Sequence, residues 1–184
     1  MTDLRKILEL DRYPDLNESV QGLLAGHRPN IGILSYDVQF NAPLESESDI
    51  CNQIVEFAKP ANEAAVRGLF GLCNGAHIGK FLAIYGFSSE TTQKYMCTVS
   101  WDIVKANTYG RLAGLPKDWF VVAQSGLSLN EVHLIDETGN FVVVEEGNPS
   151  AVVRNYETVI DWIKTEFNFA IESLNDYYSG VGNS

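Results

Sequence analysis

The run EVHLIDETGNFVVVEE, residues 131 to 146, constrains the fold more than any other stretch of the chain. Two segments rich in Val, Ile and Leu flank Glu137-Thr138-Gly139-Asn140, a short glycine-containing loop that predicts a β-hairpin. Just before it, DWFVVAQ supplies a further strand, so three strands follow in quick succession. Consecutive strands pair antiparallel, and helical patterns precede and follow them. The expected class is therefore α+β, with a central, mostly antiparallel sheet flanked by helices, in preference to a doubly wound α/β fold. Alternation through Val132, Leu134, Val142 and Val144 predicts one buried face and one wet face.

Upstream, Leu4, Ile7, Leu8 and Leu10, then Leu16, Val20, Leu23 and Leu24, recur at helical spacing, broken at Pro14 and ended at Gly26. IGILSYDVQF reads as a strand through Ile33, Tyr36, Val38 and Phe40. A helix follows with Ile50, Ile54, Val55 and Phe57 inward and Pro60 beyond its end. Ser46 or Ser48 is its cap, and Glu45, Glu47 and Asp49 lie near its positive end. From Asn62 a second helix presents Ala65, Leu69, Leu72 and Cys73, and Asn74-Gly75 stops it. FLAIYGF predicts a buried strand, with His77 in the connection before it. TVSWDIVKANTYGRL predicts an amphipathic helix capped by Thr98 or Ser100, with Trp101, Val104 and Tyr109 inward. The clearest helix is NYETVIDWIKTEFNFAIESLNDYY, with Val159, Trp162, Ile163, Phe167 and Ile171 on one face. Repeats and Pro/Ser-rich linkers are absent from the sequence, so residues 1–184 read as one domain.

Charge is the outlier of the composition. Twenty-four acids against thirteen bases give a formal net charge of −11, a field that repels nucleic-acid backbones and favours basic partners. The bland explanation is solubility, which an acidic surface also serves. No apolar run approaches the ~20 residues of a membrane span, and the first residues lack a signal-peptide core. A soluble, cytoplasmic protein is the expectation.

The pattern offers little to catalysis. Cys51, Cys73 and Cys97 are widely spaced without a CxxC pair, and His27, His77 and His133 are scattered, which argues against disulfides and a structural zinc site. Cys73 and His77 flank Asn74-Gly75, but Cys73 ends a helix, where the dipole disfavours a thiolate, and the turn takes His77 out of register. No phosphate loop or GxSxG elbow occurs. The expectation is a protein that is not an enzyme and needs no cofactor or metal. Exposed acids on the hairpin and its flanks, Asp136, Glu137, Glu145 and Glu146, are the candidate partner contacts. Their ordinary alternative is a solvated charge that discourages aggregation.

The block LFGLCNGAHIGKFLAIYG, the helix SWDIVKANTYGR, LPKDWFVVAQ, VHLIDETGNFVVVEE and the closing VIDWIKTEF together resemble the SUKH superfamily. That family comprises bacterial immunity proteins against polymorphic and contact-dependent toxins, and fungal regulators of cell-wall glucan synthesis. The marks of the resemblance fall on Asn74-Gly75, Tyr85-Gly86, Asn107, Pro116 with Trp119, Gly139 and Trp162. It spans roughly residues 45 to 168 and leaves 1–44 as an N-terminal extension. The segment QSGLSLNE keeps only Gly126 of the family's glycine-rich turn. The resemblance implies an immunity protein that neutralises a toxin, in some cases a basic nuclease, by covering its surface. An intracellular regulatory or scaffold module is the alternative, and a cysteine-dependent hydrolase a more distant one.

Overall fold

The computed structural model describes residues 7–9, 38–40, 43–45, 48–58, 62–79, 81–87, 102–126 and 130–181. Seven strands form one antiparallel sheet whose spatial order equals chain order: β1 (Val38–Phe40), β2 (Ala76–Ile78), β3 (Leu82–Ile84), β4 (Phe120–Ser125), β5 (Glu131–Ile135), β6 (Phe141–Glu145) and β7 (Asn148–Tyr156). Among the described residues four helices accompany it: α1 (Asp49–Phe57), α2 (Glu63–Phe70), α3 (Ile103–Asn107) and α4 (Val159–Val181). The α+β class and the antiparallel sheet are as the hairpin predicts.

Pairing register places Phe40, Ala76, Ile84, Ala123, His133, Val143 and Arg154 in one continuous row across all seven strands. Helix α4 covers this face. Phe167 meets Phe40 with ring centroids 6.0 Å apart, and Trp162 stacks on Phe141 at 4.9 Å. Trp162, Ile163, Phe167, Ile171 and Leu174 are all buried, as the helical spacing requires. The opposite face is not wet. Val132, Leu134, Val142 and Val144 are buried, and so are Glu131 and His133 on the α4 face, which corrects the expected one-sided alternation. With both faces covered, β5 is buried at every residue.

Ser48 and Asn62 cap α1 and α2, each accepting a hydrogen bond from the backbone N–H three residues on. Helix α2 stops at Phe70, so Leu72 and Cys73 reach the core from the following turn and not from the helix. Gly75 sits at φ +89°, and a Cβ there would lie 2.9 Å from the Gly86 backbone. Only glycine permits that crossing. His77 does not belong to a connection: it lies in β2, opposite Gln39 and Ala83.

Two asparagines complete the sheet where its strands run out. The Asn74 amide donates to the Phe87 carbonyl at 3.1 Å and accepts from the Phe87 N–H at 2.8 Å. Asn107 does the same for Val121, at 2.7 and 2.8 Å. Each carboxamide thus stands in for a peptide unit of a neighbouring strand. Asn107 thereby holds α3 against β4.

Helix α3 is shorter than predicted. Its cap is Asp102, which accepts from the N–H groups of Val104 and Lys105, whereas Thr98, Ser100 and Trp101 lie outside the described residues. Tyr109 points out, not in, at 81 % exposed. Strand β7 was not foreseen: NPSAVVRNY lacks a sustained apolar alternation, and α4 begins after it, at Val159. Apart from residues 7–9, the amino-terminal helices expected before Gly26 fall outside the described residues, as do Ile33 and Tyr36 of the first strand, Ser46, Glu47 and Pro60. Leu8, however, is buried in the core, and Glu9 pairs with Lys164 of α4, so part of the 1–44 segment packs within the domain.

Asn74→Ala or Asn107→Ala removes two side-chain hydrogen bonds, one to a peptide N–H and one to a peptide C=O. Each variant is expected to lose about 1–3 kcal/mol, from ~0.5–1.5 kcal/mol for each of the two lost hydrogen bonds. Urea unfolding checks this, with the exposed Asn155→Ala expected within about 0.5 kcal/mol of the parent.

Candidate functional site

Polar residues gather under α4 at the β5–β7 end of the sheet. The Arg154 guanidinium donates from Nε to Glu166 Oε1 at 2.8 Å and from Nη1 to Glu131 Oε1 at 3.0 Å, with Nη2 bridging both carboxylates. The Tyr156 hydroxyl donates to Glu166 Oε1 at 2.7 Å. Both glutamates are buried, whereas Arg154 and Tyr156 reach the rim. Beside them His133 is enclosed, with Nε2 2.7 Å from Ser125 Oγ and Nδ1 accepting from Trp162 Nε1 at 3.1 Å.

This arrangement can be tested against two chemistries. A serine nucleophile needs the histidine to accept its proton. The indole N–H is only a donor, so Nδ1 must hold the lone pair, and in the neutral ring Nε2 carries the hydrogen and donates to Ser125. Burial, with the Arg154 charge adding to it, pulls the His133 pKa down to about 3 despite Glu131. The ring is neutral, and the tautomer is the wrong one for activating Ser125.

Glu131, His133 and Glu166 also bring ligand atoms within 4.8 Å of one another, a set with metal-binding chemistry. The donors present do not fit an ion. The carboxylates face the Arg154 guanidinium, and both ring nitrogens of His133 are engaged. Burial works against the Arg154 charge, but the hydrogen bonds and charges of Glu131 and Glu166 outweigh it and hold the guanidinium protonated above its usual range. Tyr156 is pushed up by burial, then by its bond to Glu166 and that carboxylate's charge. The cluster is a structural lock closed around its own cation.

Cys73 is equally inert. It is fully buried, and desolvation pushes its thiol up to about 12 against a single backbone hydrogen bond from Gly75.

The four hairpin acids divide into two places. Asp136 is only 9 % exposed, and its Oδ1 accepts from Thr138 N, Thr138 Oγ1 and Asn140 N at 2.7–2.9 Å. It shapes the β5–β6 turn, which corrects its expected place as an open surface charge. Glu137 is exposed next to it and accepts from Trp119 Nε1 at 2.8 Å. Glu145 and Glu146 lie exposed at the other end of β6, roughly 13 Å away at ~3.3 Å per residue. Tyr85, which donates to Gln124, feels Glu146: burial first and then that charge push its hydroxyl up to about 12.

No protein-family model, curated protein or solved structure matches the chain.

The buried network escaped the sequence reading. Its traces were a Glu and a His alternating on one face of EVHLI, and Glu166 on the apolar stripe between Ile163 and Phe167. Arg154 sits in the strand that carried no signal.

Replacing Arg154 by Met leaves two buried carboxylates facing each other. A loss of about 3 kcal/mol at neutral pH is expected, the low end for a broken buried pair because the Arg154 rim is partly wet. Paired urea denaturation curves of the variant and the parent at neutral pH check this. His133 makes stability depend on pH. Its folded pKa is depressed, so below about 6.5 the unfolded state takes up a proton that the folded state refuses. Its contribution falls by roughly 1.4 kcal/mol per pH unit between about 6.5 and 3. His133→Gln removes that component of the pH slope.

Proposed function

We propose that this chain is an immunity protein that neutralises a bacterial toxin by direct protein–protein binding in the cytoplasm, without catalysis or a cofactor. The observation that carries the proposal is where its polar groups lie. Among the described residues, Ser125, Glu131, His133 and Glu166 are buried and committed to one another, to Trp162 or to Arg154, while Glu137, Glu145 and Glu146 stand in solvent at two corners of the β5–β6–β7 meander. The formal net charge of −11 gives the same surface a long-range field. Such a field speeds encounter with a basic partner and supplies charge-assisted pairs to Lys and Arg on contact. If the toxin is a nuclease, its phosphate-binding basic surface is the complement. The SUKH resemblance adds the class of partner.

Among the described residues, no helix is long and apolar enough to cross a membrane.

Co-expression with a toxin encoded beside the gene is expected to rescue growth and to yield a complex. Absence of both rescue and complex removes the toxin assignment and leaves a regulatory module to be considered. The association rate should fall several-fold as ionic strength rises past physiological values. Glu145→Lys with Glu146→Lys should slow association about tenfold at low salt while the dissociation rate changes little, since rim charges act mainly on encounter.

A further inference from the structure

We propose that β7 is a docking edge for an extended, apolar strand of a partner protein flanked by Lys or Arg, which adds to the sheet beyond Tyr156 and Val152. This deepens the binding proposal above and rests on it for the partner's basic character.

Strand β7 ends the sheet, and among the described residues its outer backbone edge pairs with nothing. Proteins ordinarily blunt such an edge with a short strand or with lysines. Strand β7 runs for nine residues and contains no lysine. Its only cation, Arg154, is turned onto Glu131 and Glu166. Instead the edge presents Val152 at 52 % and Val153 at 41 % exposed. Val153 is the extra residue of a bulge between the Val143–Arg154 and Val144–Val152 pairs. Beside the strand, Phe169 of α4 is 46 % exposed and covers the Arg154 guanidinium at 5.6 Å.

Charge decides the occupant. Exposed Glu145 and Glu146 lie before β7, and exposed Glu157 and Asp161 follow it. A second copy paired antiparallel about the valines would set Glu145 and Glu146 against the copy's Glu157 and Asp161, acid on acid. A strand with an apolar centre and basic ends meets complementary charge at both ends and apolar surface between.

The test uses three nine-residue synthetic peptides: a Val-Thr-Val centre flanked by Lys pairs, the same centre flanked by Glu pairs, and the Lys peptide with a central Pro. Fluorescence anisotropy measures binding, and hydrogen exchange follows the β7 amides. The Lys peptide is expected to bind and to protect amides between Val152 and Tyr156. Central Pro, Glu flanks and the double variant Val152→Ser/Val153→Ser should each weaken binding by about tenfold or more, a change of ~1.4 kcal/mol. Both valines are exposed, so the variant should keep the parent's circular dichroism and denaturation midpoint.

No binding, binding indifferent to Pro or to the Ser variant, or self-association that the Ser variant abolishes would each overturn the proposal. The last outcome gives the edge to a second copy. Because the probe is a peptide and not the toxin, a negative result here leaves neutralisation to its own test. A failed rescue beside β7-dependent peptide binding removes the toxin and keeps the edge.

Discussion

The Arg154 guanidinium lies between carboxylates from two different elements, Glu131 on β5 and Glu166 on α4, and the seating of the helix on the sheet depends on it. A buried ion pair contributes little net stability compared with apolar packing, but leaving one member alone is heavily destabilising. The consequence is selectivity. A one-residue slip of β7 would carry Arg154 to the other face of the sheet and strand both glutamates. A rotation of α4 by one position would move Glu166 off the guanidinium and Trp162 off His133 together. Register and helix rotation are therefore specified by the same few atoms, while Phe167 against Phe40 and Trp162 against Phe141 supply the apolar area.

A second device, the paired asparagines, addresses the breaks in the sheet. Short strands leave peptide groups without partners, and burial makes each such group costly. Asn74 and Asn107 satisfy one residue each with a bidentate amide and let the chain leave the sheet at Gly86 and enter it at Phe120. Several residues at the turns and crossings have local physical reasons in this chain. Gly75 permits a backbone crossing, Gly139 at φ +97° makes room for Asn62, and the Trp119 N–H closes a turn onto Pro116.

How much of this was legible in the sequence follows from what each element buries. The β5–β6 hairpin and α4 announce themselves because apolar residues recur at the period of their own geometry. Strand β7 does not. It lies at an edge with exposed residues on either side of a bulge, so neither alternation nor an apolar run survives. Helix α3 was overextended because TYGRL continues the helical pattern past Asn107, where that side chain instead turns to pair with Val121. The polar cluster was invisible for a different reason. Glu131, Arg154 and Glu166 are far apart in the chain, and only the folded meander brings them together. The acids at residues 136 and 137 looked alike in sequence, yet one is consumed by its own turn and the other faces solvent.

The strict chain-order meander has a consequence for how the protein is made. Each strand from β2 to β7 pairs with the one synthesised just before it, so the sheet can assemble progressively as the chain emerges. Helix α4 follows all seven strands, yet it supplies Trp162, Phe167 and Leu174 to the face that every strand shares. Until it arrives, the β5–β7 end of that face lacks its cover, although α1 already packs Phe57 on Phe120 beside it. A chain whose strands pair before α4 is made would have its ladder hydrogen bonds ahead of its burial. A holdase has most to grip at that stage, and an amphipathic helix of the wrong origin can most readily take the place of the right one.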